Sequence, residues 1–425
     1  MTTYLRRLGL FSGTMAVVGG IIGGGIFRTP ATVAQRLPSA GAILFAWVLG
    51  GVVALIGAFC WGELGRRRPR AGGGYVYLRE TFGPLPAFLY GWTLVLVIAT
   101  GAIAAVAVTF ADYTLALAGL PHRYSVPLAV VAIVLLAGIN YVGVKPAAIT
   151  QNIFTVLKLA ALALLIGAGV FAAVPAPPST ALAPPSSALG AALVPILFTY
   201  GGWQQTNFIA EEIVEPERNL PRALVFGVAI VVTVYLLTNY MYIHVLGVQA
   251  LGESTAPAAD TMQRLLGPVG GKIIAAGIAI STFGFLNLVI LVTPRVLQAM
   301  AADFVFFQRF AVLHPRYHTP SAAILALAVC AVILTLSGTF GQLVDFVTFG
   351  DWIFFGLTAA SVYVYRARDQ NPRYRPAPAL FILAAAFVVY SSIVSNPRNA
   401  GIGAGLIALG IPAFLYWRRR RLPVG

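Results

Sequence analysis

The chain has 425 residues, of which 59% are hydrophobic and only 10% charged. Soluble globular proteins carry about 25% charged residues, so the composition excludes one of these and points to the membrane. A net charge of +15 would suit a nucleic acid, but the cations sit in short segments between apolar runs, which excludes that partner as well.

Apolar runs of about 17–25 residues are long enough to span the hydrocarbon of a bilayer. Twelve are present, at 9–35, 40–64, 84–111, 125–143, 147–174, 189–213, 221–246, 270–301, 321–337, 341–366, 377–395 and 400–417. The third and eighth are long and are expected to tilt. The first is interrupted. Within Val18 to Pro30, VGGIIGGGIFRTP, the glycines Gly19, Gly20, Gly23, Gly24 and Gly25 crowd its middle. Glycine gives up the most backbone freedom in a helix, so an unwound patch is expected, with unpaired N–H and C=O groups. Such groups at mid-membrane depth must line a polar cavity or be buried in protein. The alternative is close helix packing through small residues. The sixth run tips the choice, because Phe198-Thr199-Tyr200-Gly201-Gly202-Trp203 breaks it in the same way. Paired broken spans point to a transport site built on repeats. The N-terminus shows no cleavable leader, so the first helix is expected to stay. Cys60 and Cys330 fall inside runs and are expected to be buried as small apolar residues.

The cations set the orientation. If twelve spans alternate, twenty Lys and Arg residues fall on one side: Arg6, Arg7, Arg66, Arg67, Arg68, Arg70, Arg79, Lys145, Arg218, Arg222, Arg309, Arg316, Arg366, Arg368, Arg373, Arg375 and Arg418 to Arg421. Arg36, Arg123, Arg264, Lys272 and Arg398 fall on the other. This positive-inside pattern puts both termini in the cytoplasm. Residues 175–188 read as a semi-rigid extracellular linker, and 247–269 as holding a short surface helix. Residues 71–83 are expected to lie against the cytoplasmic face. Gly72-Gly73-Gly74 lacks the strand and the Gly-Lys-Ser/Thr of a phosphate loop.

Ionisable residues inside spans are costly and are therefore functional candidates. Lys158, midway along run 5, is expected to meet carbonyls freed at the first break and hydroxyls such as Ser281 and Thr282. Its ammonium can stand in for an ion or carry a coupled proton; the plainer reading is a tether between helices. Asp351 reads as a polar anchor before a proton site. Arg28 is placed at the entrance and Arg295 in a cytoplasmic ion-pair network. Glu211, Glu212, Glu215 and Glu217 face Arg218 and Arg222 as an inner gate or a solvated loop, and Glu63 pairs with the nearby arginines. The four histidines show no ligand spacing, so no metal site and no cofactor are expected.

The breaks themselves define a pocket. N–H groups from Gly23 to Ile26, at the positive end of a half-helix, suit a carboxylate. Carbonyls around Phe198, Thr199 and Gly201 suit an ammonium. A zwitterion fits between them, with Phe198 or Trp203 closing over it. The absence of an acidic side chain near the breaks argues against a cationic side chain on the cargo.

Four stretches resemble the amino acid–polyamine–organocation transporters, in particular bacterial relatives of the L-type amino acid transporters: IIGGGIFRTP (21–30), GGGYVYLRETFGPLPAFLYGW (72–92), LFTYGGWQQTNFIAEEIVEPERNLPRAL (197–224) and TPRVLQAMAADFVFF (293–307). The resemblance implies an all-α integral membrane protein with twelve transmembrane helices. These form five-plus-five inverted repeats (9–174 and 189–366) in a single domain, discontinuous helices 1 and 6, and two extra helices at 377–417. It implies substrate contacts at Ile21, Gly23, Gly24, Gly25 and Ile26, and at Phe198, Thr199, Gly201 and Gly202. Phe198 takes the aromatic gate position, Gln204 and Asn207 match amides toward the inner gate, and Tyr235 faces the same region. Lys158 matches a lysine in a sodium-like site of sodium-independent members. GGGY for the usual GGEY, AADFVFF after run 8 and Gly24 for a small polar residue depart from the family pattern.

The reading is a sodium-independent transporter of neutral amino acids in the plasma membrane, working by alternating access, with exchange favoured over proton-coupled uptake. It acts alone or as a homo-oligomer. A proton-driven permease for cationic amino acids or polyamines is the alternative. A channel needs no pair of breaks aimed at opposite charges, a sensor needs a soluble domain, and an enzyme needs a nucleophile–base pair that is missing.

Overall fold

A computed structural model of the chain describes residues 3–171, 186–338, 340–369, 376–395 and 397–420. Most of the expected linker at 175–188 lies outside them, as do Arg373, Arg375 and Arg421. Among the described residues every named element is helical, and the one β-type pairing is an isolated bridge between Leu8 and Ile213.

The first run folds as α1 (Leu10–Ile21), a short 3-10 turn at Gly25–Phe27 and α2 (Thr29–Ala34). Then come α3 (Ala40–Arg67), α4 (Gly74–Phe82), and α5 (Pro84–Ala118), which includes a π-helical stretch at Leu94–Ala99. After α6 (Ser125–Val142) and α7 (Val144–Phe171), the sixth run forms α8 (Ser186–Thr199) and a 3-10 stretch at Trp203–Glu212. The chain continues with α9 (Pro216–Leu246), α10 (Val248–Glu253), α11 (Pro257–Leu266), α12 (Pro268–Ala302), α13 (Ser321–Ser337), α14 (Phe340–Arg368), α15 (Ala377–Ser395), α16 (Pro397–Ala408) and α17 (Gly410–Arg420). Among the described residues, eight helical stretches are long and apolar enough to cross a membrane: α3, α5, α6 with the turn before it, α7, α9, α12, α15 and α16 with α17. α5 and α12 have 35 residues each; at about 1.5 Å per residue they exceed the bilayer core.

Local chemistry places the helix ends. The Ser39 hydroxyl accepts from the Ala42 N–H at the start of α3, while Arg66 and Arg67 oppose the dipole at its end. α5 stops at Gly119 in the left-handed region. Between helices, small residues set the spacing. A Cβ on Gly227 of α9 would lie 2.5 Å from Val17 of α1, and one on Gly62 of α3 would lie 3.2 Å from Pro221. α9 thus sits directly against both α1 and α3.

Two expectations need correction. α4 does not rest on a surface: Tyr75, Val76, Tyr77 and Leu78 are buried, because the preceding Gly72 and Gly73 turn with positive φ and let Gly72 donate to the Phe208 carbonyl. Of the two free cysteines, Cys60 is buried but Cys330 is exposed. It shares the exposed apolar face of α13 with Val329 and Ile333, which no other helix covers among the described residues.

Candidate functional site

The glycines of the first break divide into two kinds. Gly19 and Gly20 remain helical and permit close approach. Gly23, Gly24 and Gly25 make the break and stay partly exposed. The Ile22 N–H still reaches Val18 O at 2.9 Å, and Gly23 closes a tight turn onto Ile21 O at 2.9 Å. Gly24, Gly25 and Ile26 then present three consecutive N–H groups with no acceptor among the described residues. A Cβ on Gly24 would meet nothing within 4 Å. Buried donors are normally paired, so three in a row beside open space form a concavity for an anion.

The carbonyls on the other side of the break are occupied. Lys158 Nζ donates to Gly19 O at 3.2 Å and Ile22 O at 2.7 Å. Ser281 Oγ lies 3.2 Å from both Ile22 O and Gly23 O, and Tyr235 donates to Ile21 O at 3.1 Å. Helices α7, α12 and α9 each supply one side chain. The ammonium is fully buried, held by carbonyl oxygens as a monovalent cation would be. Thr282 does not join it, since its hydroxyl bonds back to Ile278 O and Ala279 O of its own helix.

In the second break Gly202 has φ +111 and its N–H is capped by Gln204 Oε1 at 3.0 Å. A Cβ on Gly202 would lie 2.1 Å from Gly20 O, so here the two broken spans touch backbone to backbone. They meet again where Thr199 Oγ1 contacts Thr29 Oγ1 at 2.8 Å, beside Gly25. Of the three carbonyls expected to be open, that of Phe198 accepts from Gly201, whereas those of Thr199 and Gly201 have no donor among the described residues. Phe198 is 49% exposed. Trp203 goes elsewhere: its ring packs at 5.0 Å against Trp61 and near Phe355 and Phe381. Asn207 donates to Trp61 O and Tyr77 Oη, both at 3.0 Å.

Arg28 is exposed, and Asp351 is partly buried on α14. Arg295 pairs with Glu212 at 2.9 Å, and the pair is almost wholly buried. Tyr4 covers it, and burial raises the phenol far above its ordinary value, Arg295 opposing. Of the other acids there, Glu211 adds its charge to the field on Tyr4, and Glu215 pairs with Arg218 at 3.9 Å on the surface. Glu63 binds Arg67 and Arg366. Sequence reasoning missed the buried amides that continue the Lys158 row. Gln151 donates to Thr155, and Asn287 bridges Gln151 to Asn140. The signal was available, because Gln151, Thr155 and Lys158 fall on one helical face.

Sequence comparison decides the class of this arrangement. A match to the family described as amino acid permease covers residues 8–416. The chain belongs to that family. The permease is 32% identical to human Asc-type amino acid transporter 1 over 98% of this chain and 83% of that one. It is equally similar to the rat large neutral amino acids transporter small subunit 2, with 82% of that protein covered. It is 31% identical to the serine/threonine exchanger SteT of Bacillus subtilis (strain 168), over 98% of both chains. These are transporters rather than enzymes, and the permease is an amino acid transporter that crosses its membrane several times.

Proposed function

We propose that this permease exchanges neutral amino acids across the plasma membrane by alternating access, without sodium. The observation that carries the reading is the meeting of the two breaks. Three open N–H groups at Gly24, Gly25 and Ile26 lie next to a crossing point whose other strand offers the open carbonyls of Thr199 and Gly201. An α-amino acid brings one carboxylate and one ammonium on a single carbon, the two charges that open N–H groups and open carbonyls attract. Ile21, Gly23 and Gly202 shape the backbone around it, and Phe198 is the gate. Asn207 and Tyr235 hold the halves in register, and Gln204 caps the turn at Gly202. Lys158, with Ser281, fills the carbonyl nest that a coupling cation would otherwise need. The names of the relatives support neutral cargo and exchange.

The architecture that goes with this reading has twelve spans in one domain. Residues 9–174 and 189–366 form two inverted repeats, 377–417 add two helices, and both termini face the cytoplasm. The test is purified permease in liposomes, given labelled neutral amino acids with and without unlabelled amino acid inside. The gradients of sodium and pH are varied separately. Uptake that requires internal amino acid and ignores both gradients is expected. Uptake that follows a proton gradient, or prefers cationic amino acids or polyamines, would refute the exchange reading. No uptake at all would refute the site.

A further inference from the structure

On the face that carries the N-terminus, a cavity of about 170 Å³ is lined by Arg7, Lys145, Arg316 and His318, with Leu5 and Val142 at its edge. Three separated pieces of chain build it: the segment before α1, the corner between α6 and α7, and the loop after α12. No carboxylate lines it. Among the described residues none of Arg7, Lys145 and Arg316 has an acidic partner. Other arginines of this face do: Arg67 and Arg366 bind Glu63, Arg68 binds Glu80, and Arg79 binds Asp303. A larger cavity of about 550 Å³, lined by Arg6, Arg67, Arg68 and Arg70, differs in having a carboxylate, Glu211, in its own wall.

The smaller cavity is also rigidly built. His318 is one of three non-glycine residues with positive φ among the described residues, at +56. Its N–H donates to His314 O at 2.9 Å, and its Nδ1 lies 2.8 Å from Thr3 O. Thr319 Oγ1 ties the same loop to Tyr141 O at 2.9 Å, and the Arg316 guanidinium lies 5.6 Å over the Tyr317 ring. Backbone held in a costly conformation gathers at binding sites. α7, with 28 residues, begins at the cavity with Val144, so its positive end adds to the field.

We propose that this cavity binds a phosphate group, carried by a phospholipid headgroup or as the free anion. Three unopposed cations, a helix start and a fixed loop select for a compact, multiply charged oxyanion. The volume holds one such group with a few waters, at about 30 Å³ each. Leu5 and the half-exposed Val142 form an apolar lip along which an acyl chain can run.

The test uses the full-length permease in nanodiscs of phosphatidylcholine with a minor fraction of phosphatidylglycerol, reading by mass spectrometry the anionic lipid retained. Because each cation lining the cavity faces the bound group, Lys145→Gln and Arg316→Gln are each expected to lower retention about fivefold. Arg418→Gln with Arg419→Gln, on exposed residues remote in sequence, is expected to change nothing. Unchanged retention in the cavity variants, or an equal loss in the control, overturns the proposal. A second arm follows melting temperature in detergent. A rise with phosphatidylglycerol alone, lost in the variants, identifies a headgroup. A rise with inorganic phosphate, lost in the variants, identifies the free anion. No rise with either overturns the site.

Discussion

Replacing Gly202 by alanine strikes the point where the two interrupted spans touch. The new Cβ would sit 2.1 Å from Gly20 O, 2.6 Å from Gly20 C and 3.3 Å from the Ile21 N. None of these is the flexible end of a side chain, so one broken span must move. Overpacking of this kind costs about 1–3 kcal/mol, and forcing an L-residue to a positive φ adds about 1–2 kcal/mol. A loss of roughly 2–5 kcal/mol is a large share of the stability of a folded protein. Gly24→Ala is the matched control. Its Cβ meets nothing within 4 Å and its φ of −83 suits any residue. Size-exclusion chromatography after heating is expected to show Gly202→Ala melting well below the parent and Gly24→Ala melting with it. In liposomes Gly24→Ala is expected to raise the KM for uptake, since its methyl group enters the space beside the open N–H groups. A Gly202→Ala variant as stable and as active as the parent would refute the crossing of the two breaks.

Lys158→Met leaves Gly19 O buried without a donor, at about 1–3 kcal/mol, while Ile22 O keeps Ser281; melting temperature and uptake should both fall, and an active, stable variant would dismiss the role of the ammonium. Glu212→Gln leaves the Arg295 charge buried without its counterion and is expected to cost about 3–5 kcal/mol, whereas Glu212→Gln with Arg295→Met should be milder. A thermal-stability double-mutant cycle separates these outcomes. Trp203→Ala opens a hole among Trp61, Phe355 and Phe381 and is expected to cost about 3–5 kcal/mol. Phe198→Ala, at an exposed ring, should leave stability alone and change KM. A selective KM effect from Trp203 instead would return it to the gate.

The long elements were legible because bilayer crossing demands apolar runs of fixed length; most helices keep near the expected bounds, but α5, expected to end at 111, runs on to Ala118, and α9, expected to begin at 221, begins at Pro216. Both breaks were legible because clustered glycines interrupt two runs in the same way; a glycine pair alone decides nothing, since Gly50-Gly51 stays helical within α3. Lys158 could be placed against the first break by depth alone. What remained hidden depends on side chains choosing among neighbours that are distant in sequence. Ser281 and Thr282 are adjacent and chemically alike, yet the helical step aims one hydroxyl at α1 and folds the other onto its own carbonyls. Trp203 follows the second glycine directly, but the left-handed turn at Gly202 swings it toward α3. Residues 71–83 looked amphipathic and superficial. Only the positive-φ glycines, whose conformation no composition discloses, carry Tyr75 and Tyr77 inward.

The bridge between Leu8 and Ile213 has a mechanical corollary. Arg7 and Leu8 donate to Glu212 O, and Val214 donates back to Leu8 O, so the chain leading into α1 is laced to the chain leaving the 3-10 stretch. Neither end can swing outward by itself. Passage of cargo through this face needs both to travel as one lever, or the lacing to be undone on every cycle.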